Sequence, residues 1–260
     1  MNIKRSLVPA LAAALIAPSG VAAECNAKSA EHRVPLLELY TSEGCNSCPP
    51  ADRWLSALPQ RGLTTGQVVA LGFHVDYWNY LGWRDPFSSP EYSDRQRSAS
   101  IRNRARFVYT PQFLLDGKDY RRGFFRDDIA DRISTIARER PEATIELNQT
   151  TDGKHAVLVR ARVSTADANS HAARAYVALY ENQLANKVAR GENGGKYLEH
   201  DFVVRDLSPP HPAGAGDAPE FQHRFALDQS WKKGNLFVAA FVQNERSGKT
   251  LQALAVPICR

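Results

Sequence analysis

The chain is short of the features that would place it in several large classes. It has no apolar run long enough to cross a bilayer: Leu7 to Ala17 is too short, and Pro9 and Pro18 disfavour a membrane helix there. It has no cluster of lysine and arginine interleaved with aromatics, and its formal net charge of +5 is mild, so nucleic acid is a poor partner. No repeat period is evident, which excludes a solenoid of similar units. The run Gly191 to Lys196 lacks both the strand-to-helix context and the serine or threonine of a nucleotide site, and reads as a hairpin tip. Cysteine is scarce, at 4 residues, with a single Cys-x-x-Cys pair and no second one to complete a zinc site. His200 and His211 show no ligand spacing and read as surface residues.

What is present starts with Lys4, Arg5, the apolar run and Val21-Ala22-Ala23 before Glu24, the pattern of a cleavable secretory signal over residues 1–23. Glu24 stands before Cys25 where a lipoprotein would want a small residue. Cleavage leaves about 237 residues and, with Lys4 and Arg5 gone, a formal charge of +3 instead of +5. The expectation is a soluble periplasmic or secreted protein. All four cysteines survive cleavage and can pair in an oxidising compartment. Three connectivities are possible. Cys45 with Cys48 is the local choice and leaves Cys25 with Cys259, a bridge that the chain-entropy model values at roughly 5 kcal/mol as an upper figure. The alternative leaves Cys25 free or linked to a partner.

Residues 36–58 are the stretch on which the rest depends. Leu36 to Tyr40 suits a buried strand, Thr41 to Gly44 a polar turn, and Ala51 to Leu58 a helix with Trp54, Leu55 and Leu58 on one face. Cys45 and Cys48 fall between strand and helix, near the positive end of the helix dipole, where backbone N–H groups favour a thiolate. Pro49 and Pro50 follow at once; Pro49 biases Cys48 away from helical dihedrals, which predicts a helix starting at Pro49 or Pro50 with both thiols in the turn before it. Val68 to Val75 reads as a second buried strand, parallel to the first through a right-handed crossover. Chemistry in such sheets gathers beyond the carboxyl ends of the strands, so Asp76, Tyr77, Trp78 and His74 are expected on the same side as Cys45. Residues 79–104 look like an insertion carrying a solvated helix from near Ser89. Thr110-Pro111 precedes an apolar strand closed by Asp116-Gly117, a hairpin signal, with Tyr120 to Phe125 as the return strand and Pro111 a candidate cis residue. Asp127 to Arg138 then forms an amphipathic helix.

Strand, Cys-x-x-Cys, helix, parallel strand, Thr-Pro, hairpin and helix is similar to the running order of a thioredoxin-like domain. Taken together, LYTSEGCNSCPPAD, FHVDYWNYLGW and YTPQFLLDG resemble a family of exported bacterial proteins of unknown function with a thioredoxin-like first half. That resemblance implies a redox site, an acidic residue on the strand before the cysteines, which is Glu38 here, and a Pro111 that keeps metal from the thiols. The double proline after Cys48 departs from the single proline usual in thioredoxins. From Pro141 onward, short strands separated by turn signals such as Asp152-Gly153 and a proline-rich loop, Ser208 to Pro219, predict an antiparallel β-sandwich. The fold expected is therefore an α/β thioredoxin-like domain over 24–140 followed by a β-rich domain over 141–260.

The chemistry predicted is thiol-disulfide exchange with a protein or small-molecule partner and no cofactor. Cys45 attacks as a thiolate, Cys48 resolves the mixed disulfide, and a buried Glu38 would move the proton. In cis, Pro111 would present the Thr110 backbone to an incoming peptide strand. Glu43 reads as a solvated turn residue, Asp76 as a strand end or a site residue, and Trp78, Tyr80 and Trp83 as core or partner-binding aromatics. Two alternatives stand beside this: a copper carrier using Cys45, Cys48 and His74, whose soft donors suit Cu(I), and a pair that merely staples the fold. The redox reading needs an accessible sulfur pair that faces Pro111.

Overall fold

A computed structural model describes residues 23–121, 127–151, 155–166, 171–215 and 220–259. The signal expected over 1–23, the Asp152-Gly153 turn and the later part of the Tyr120 to Phe125 strand lie wholly or mostly outside the described residues. Leu36–Thr41 (β2) is buried at every position and lies between two neighbours in one sheet. Val69–His74 (β3) runs parallel to it, from Leu36 opposite Val69 to Thr41 opposite His74. Gln112–Leu115 (β4) runs antiparallel on its other side. Continuous apolar sequence is what a strand covered on both faces requires.

The crossover from β2 to β3 carries the helix Pro49–Ser56 (α1), which starts at Pro49 with Cys48 as its N-cap. The long insertion carries Pro90–Arg102 (α2), which starts where Ser89 accepts a hydrogen bond from Glu91 N and Pro90 occupies the first turn. α2 is not simply solvated, because Tyr92, Ser93, Gln96, Ala99 and Ser100 are buried. Asp116 and Gly117 both take positive φ, 55° and 73°, as a two-residue hairpin turn demands. The return strand Lys118–Asp119 (β5) therefore comes earlier than expected, pairing Lys118 directly with Leu115. Ile129–Ala137 (α3) buries Ile129 and Ile133.

The second half is antiparallel and β-rich. Ala143–Thr151 (β6), Ala156–Thr165 (β7) and Glu220–Ala226 (β13) form a four-stranded sheet with Ala23–Lys28 (β1), in the order β1-β6-β7-β13. Ala173–Glu181 (β8), Val203–Leu207 (β11), Leu236–Asn244 (β14) and Thr250–Pro257 (β15) extend the first sheet, which reads β15-β14-β8-β11-β3-β2-β4-β5, with the short His211–Pro212 (β12) also paired to β8. The junction is β11, parallel to β3 at Val203 and Gly72, with Gly72 N donating to Phe202 O at 2.7 Å. Strand periodicity then serves two cores at once: Val177 and Leu179 face the sandwich with Ile145 and Val159, whereas Ala178 and Tyr180 face the core of Tyr40 and Phe73. Cys25 and Cys259 form a disulfide, Cα atoms 5.9 Å apart, that ties β1 to the end of the chain.

Candidate functional site

β2 ends at Thr41, and the next residues turn tightly: Cys45 N donates to Ser42 O, and Cys48 N to Cys45 O. Cys45 and Cys48 form a disulfide with Cα atoms 5.5 Å apart. Cys48 takes helical dihedrals, φ −79° and ψ −38°, despite the following proline. Its carbonyl accepts from Ala51 N and Asp52 N, so helical hydrogen bonding outweighs the proline bias. Gly44 is required by a close approach, since a Cβ there would lie 2.9 Å from Trp78 Cβ. Trp78 Nε1 in turn donates to Thr110 Oγ1 at 2.8 Å, which fixes Thr110 beside the motif. The Thr110–Pro111 bond is cis. Ser47, Pro50 and Pro111 line one groove together with Phe107, Tyr109 and Phe113.

The sulfur pair is not open to solvent as expected. Cys45 and Cys48 are both 0% exposed, while Asn46 and Ser47 between them are exposed. Ser47 Oγ lies 3.3 Å from Cys45 Sγ. The other cover comes from the second half. Leu184–Lys187 (β9) and Tyr197–His200 (β10) form a two-stranded ribbon whose tip holds the Gly191 to Lys196 run. Asn193 Nδ2 donates to the carbonyls of Glu43 and Cys45 at 2.9 Å each, and Glu192 Oε2 accepts from Asn46 N at 2.9 Å. That run reads correctly as a hairpin tip, but its sequence holds no sign of the surface it clamps.

Beneath the motif lies a buried set of ionisable groups. Glu43, expected in solvent, is fully buried; its carboxylate accepts from Trp83 Nε1 at 2.8 Å and Asn186 Nδ2 at 3.1 Å. His200, expected at the surface, is 2% exposed, with Nε2 3.4 Å from Glu43 Oε1 and Nδ1 3.8 Å from Asp52 Oδ2. Burial raises the Asp52 carboxyl above its ordinary value, against the pull of the His200 and His74 rings. Burial alone would depress His74, but Asp85, 2.7 Å from its Nδ1, prevails and the imidazole sits above its ordinary value. Burial likewise presses Asp85 upward, but His74 and the backbone N–H groups of Glu43 and Phe87 hold it below the usual carboxylate range.

Glu38, expected at the site, lies elsewhere. Glu38 accepts from Arg95 Nε at 2.8 Å and from Tyr40 OH, and Arg95 also sits over the rings of Phe73, Tyr176 and Phe241. Glu38 shares its face of β2 with Tyr40, whereas Leu55 of α1 packs against Gly72 on the other face. The sheet therefore separates Glu38 from the thiols. His74 faces the motif but spends Nδ1 on Asp85, and no group of three or more His, Cys, Asp or Glu side chains able to hold a metal exists among the described residues. The copper alternative is not supported. Asp76 Oδ1 accepts from Ser93 Oγ, a tie between α2 and the bend after β3, and Tyr80 is 80% exposed. Asp52 was legible in principle, four residues after Cys48 on a face with Leu55; His200 and Asn193 had no local signal.

A family model described as "Protein of unknown function (DUF1223)" matches residues 36–243. Among solved structures, protein AGR_C_4864 from Agrobacterium tumefaciens is 27% identical, with a TM-score of 0.61 over 87% of this chain and 96% of that one. HBP35 of Porphyromonas gingivalis, 13% identical, superposes with a TM-score of 0.67 over 88% of this chain and 76% of that one, a likeness of fold alone. Comparison with curated proteins finds no match. Among the described residues no helix is long and apolar enough to cross a membrane.

Proposed function

The chain belongs to the DUF1223 family of proteins of unknown function, and from that premise we propose that it is an exported thiol-disulfide oxidoreductase acting through Cys45 and Cys48. The observation that carries the reading is the Cys45–Cys48 disulfide at a strand-to-helix turn, on the same groove as Pro111. A partner thiolate attacks Cys45 Sγ; the Cys45–Cys48 bond breaks and Cys48 leaves as a thiolate with the bonding electron pair. A second partner thiol then displaces Cys45, so the partner is oxidised and the pair reduced, and the reverse sequence reduces a partner. Thr110, held by Trp78, offers its backbone to an extended segment of the partner. Two disulfides and the charged-then-apolar pattern of residues 1–23 support a periplasmic or secreted location. Residues 24–140 would supply the chemistry and 141–260 the surface that holds the partner.

Complete burial of both cysteine side chains favours a second reading, in which the pair only staples the turn. Insulin reduction with dithiothreitol and oxidation of a reduced peptide separate the two. Under the redox reading Cys45→Ser abolishes both activities, and Cys48→Ser accumulates mixed disulfides with partners. A staple gives wild-type protein with neither activity, and variants that lose only melting temperature.

A further inference from the structure

His200 lies more than 150 residues beyond the cysteines in sequence, yet its ring is inserted beneath them between two carboxylates. Nε2 faces Glu43 Oε1 and Nδ1 faces Asp52 Oδ2 at ion-pair distance, and none of these four atoms makes a hydrogen bond among the described residues. A neutral imidazole has one donor and one acceptor nitrogen, so against two ionised carboxylates one contact would set lone pair against lone pair, whereas the imidazolium presents an N–H to each. Two rings pack on it, His74 edge-on with centroids 4.9 Å apart and Phe87 at 5.8 Å. The charge of His74 is answered by Asp85, which leaves His200 as the counter-ion of Glu43 and Asp52. These carboxylates flank the motif directly: Glu43 is two residues before Cys45, and Asp52 follows Cys48 by one helical turn.

We propose that His200, as an imidazolium, is a positioning residue of the redox site, holding Glu43 and Asp52 neutralised so that a thiolate can form at Cys45 and Cys48. The proposal rests on the redox reading above. When a partner thiolate opens the disulfide, the sulfur of Cys48 leaves with the electron pair as a new anion. Two unanswered carboxylates alongside would oppose that anion; the imidazolium removes the opposition. The chemistry of the first half is thereby completed by a residue that closes the ribbon of the second half, whose tip holds the Cys45 carbonyl.

The test uses the full chain, reduced, with the Cys45 thiolate followed by absorbance near 240 nm and by iodoacetamide alkylation across pH, and exchange with glutathione disulfide measured in parallel. His200→Gln is expected to move the Cys45 titration upward by about one unit, a tenfold loss of thiolate below its pKa. Adding Asp52→Asn is expected to bring it part of the way back, because one of the two uncompensated carboxylates is then gone. A His200→Gln protein that melts lower but titrates and exchanges as the wild type does overturns the proposal, as does a shift that Asp52→Asn fails to reduce. Should His200→Gln not fold, Asp52→Asn alone decides: a lowered Cys45 titration supports the proposal and an unchanged one overturns it. Wild-type protein that exchanges with neither glutathione disulfide nor peptide overturns the redox reading itself, an outcome distinct from these.

Discussion

Glycine at position 44 and the His74–Asp85 pair illustrate how single residues hold the site. Because a Cβ at Gly44 would meet Trp78 Cβ at 2.9 Å, Gly44→Ala must push Trp78 away from its hydrogen bond to Thr110. Overpacking of this kind costs about 1–3 kcal/mol, and differential scanning calorimetry should show it together with slower exchange. The buried pair His74–Asp85 predicts a pH dependence of both signs. Asp85 is held below its ordinary value, so its contribution is present above the unfolded carboxylate range and is lost as pH falls through the depressed folded pKa. His74 is raised, so its contribution is complete below the unfolded imidazole value and is lost as pH rises through the raised folded pKa. Thermal melts from acid to mild alkali should therefore show the wild type gaining most over Asp85→Asn in between, by about 3–5 kcal/mol, since removal of one partner strands a buried charge.

At the scale of elements, the β9–β10 ribbon clamps the backbone of the motif on either side of Cys45. Its tip contributes the two Asn193 hydrogen bonds and the Glu192 contact with Asn46 N. Each hydrogen bond contributes about 0.5–1.5 kcal/mol net, so Asn193→Ala should raise the population of an uncovered motif by roughly tenfold. Under the redox reading the reduction rate by dithiothreitol rises accordingly; an unchanged rate would mean that Ser47, not the ribbon, limits approach. α1 shows a different balance at this scale. Its first turn contains Pro49 and Pro50, which need no N–H partner, and Cys48 is drawn into helical geometry by the bonds its carbonyl receives.

For the molecule as a whole, the long sheet joins both halves, and the chain ends are tied to each other by Cys25–Cys259. Removing that bridge in Cys25→Ser/Cys259→Ser relaxes a loop of 234 residues in the unfolded state and should cost about 2–5 kcal/mol. Urea denaturation would measure the loss. Exchange at Cys45 in the folded protein should stay as in the wild type, because the bridge joins β1 to the end of β15, an edge strand of the long sheet, and not to the turn that follows β2. A parallel loss of exchange would show that the two sheets are coupled more tightly than their separate hydrogen-bond ladders imply.

Local pattern was enough to locate β2, α1, β3, α2, the hairpin and α3 in the first half, though not β1 or the early return strand β5. Apolar continuity located β2 and β3, the serine and proline at 89 and 90 located the start of α2, and Asp116-Gly117 located the hairpin, because each depends on residues within one turn of one another. The sulfur pair was legible for the same reason. The resemblance to thioredoxin-like domains pointed to Glu38, yet strand alternation sends that side chain to Arg95 across the sheet. Only the tertiary structure could show that β11 welds the halves into one sheet, that Asn193 covers the motif and that His200 sits beneath it. Those contacts span more than a hundred residues of chain, and burial, not spacing, selects which distant charge is needed next to Glu43 and Asp52.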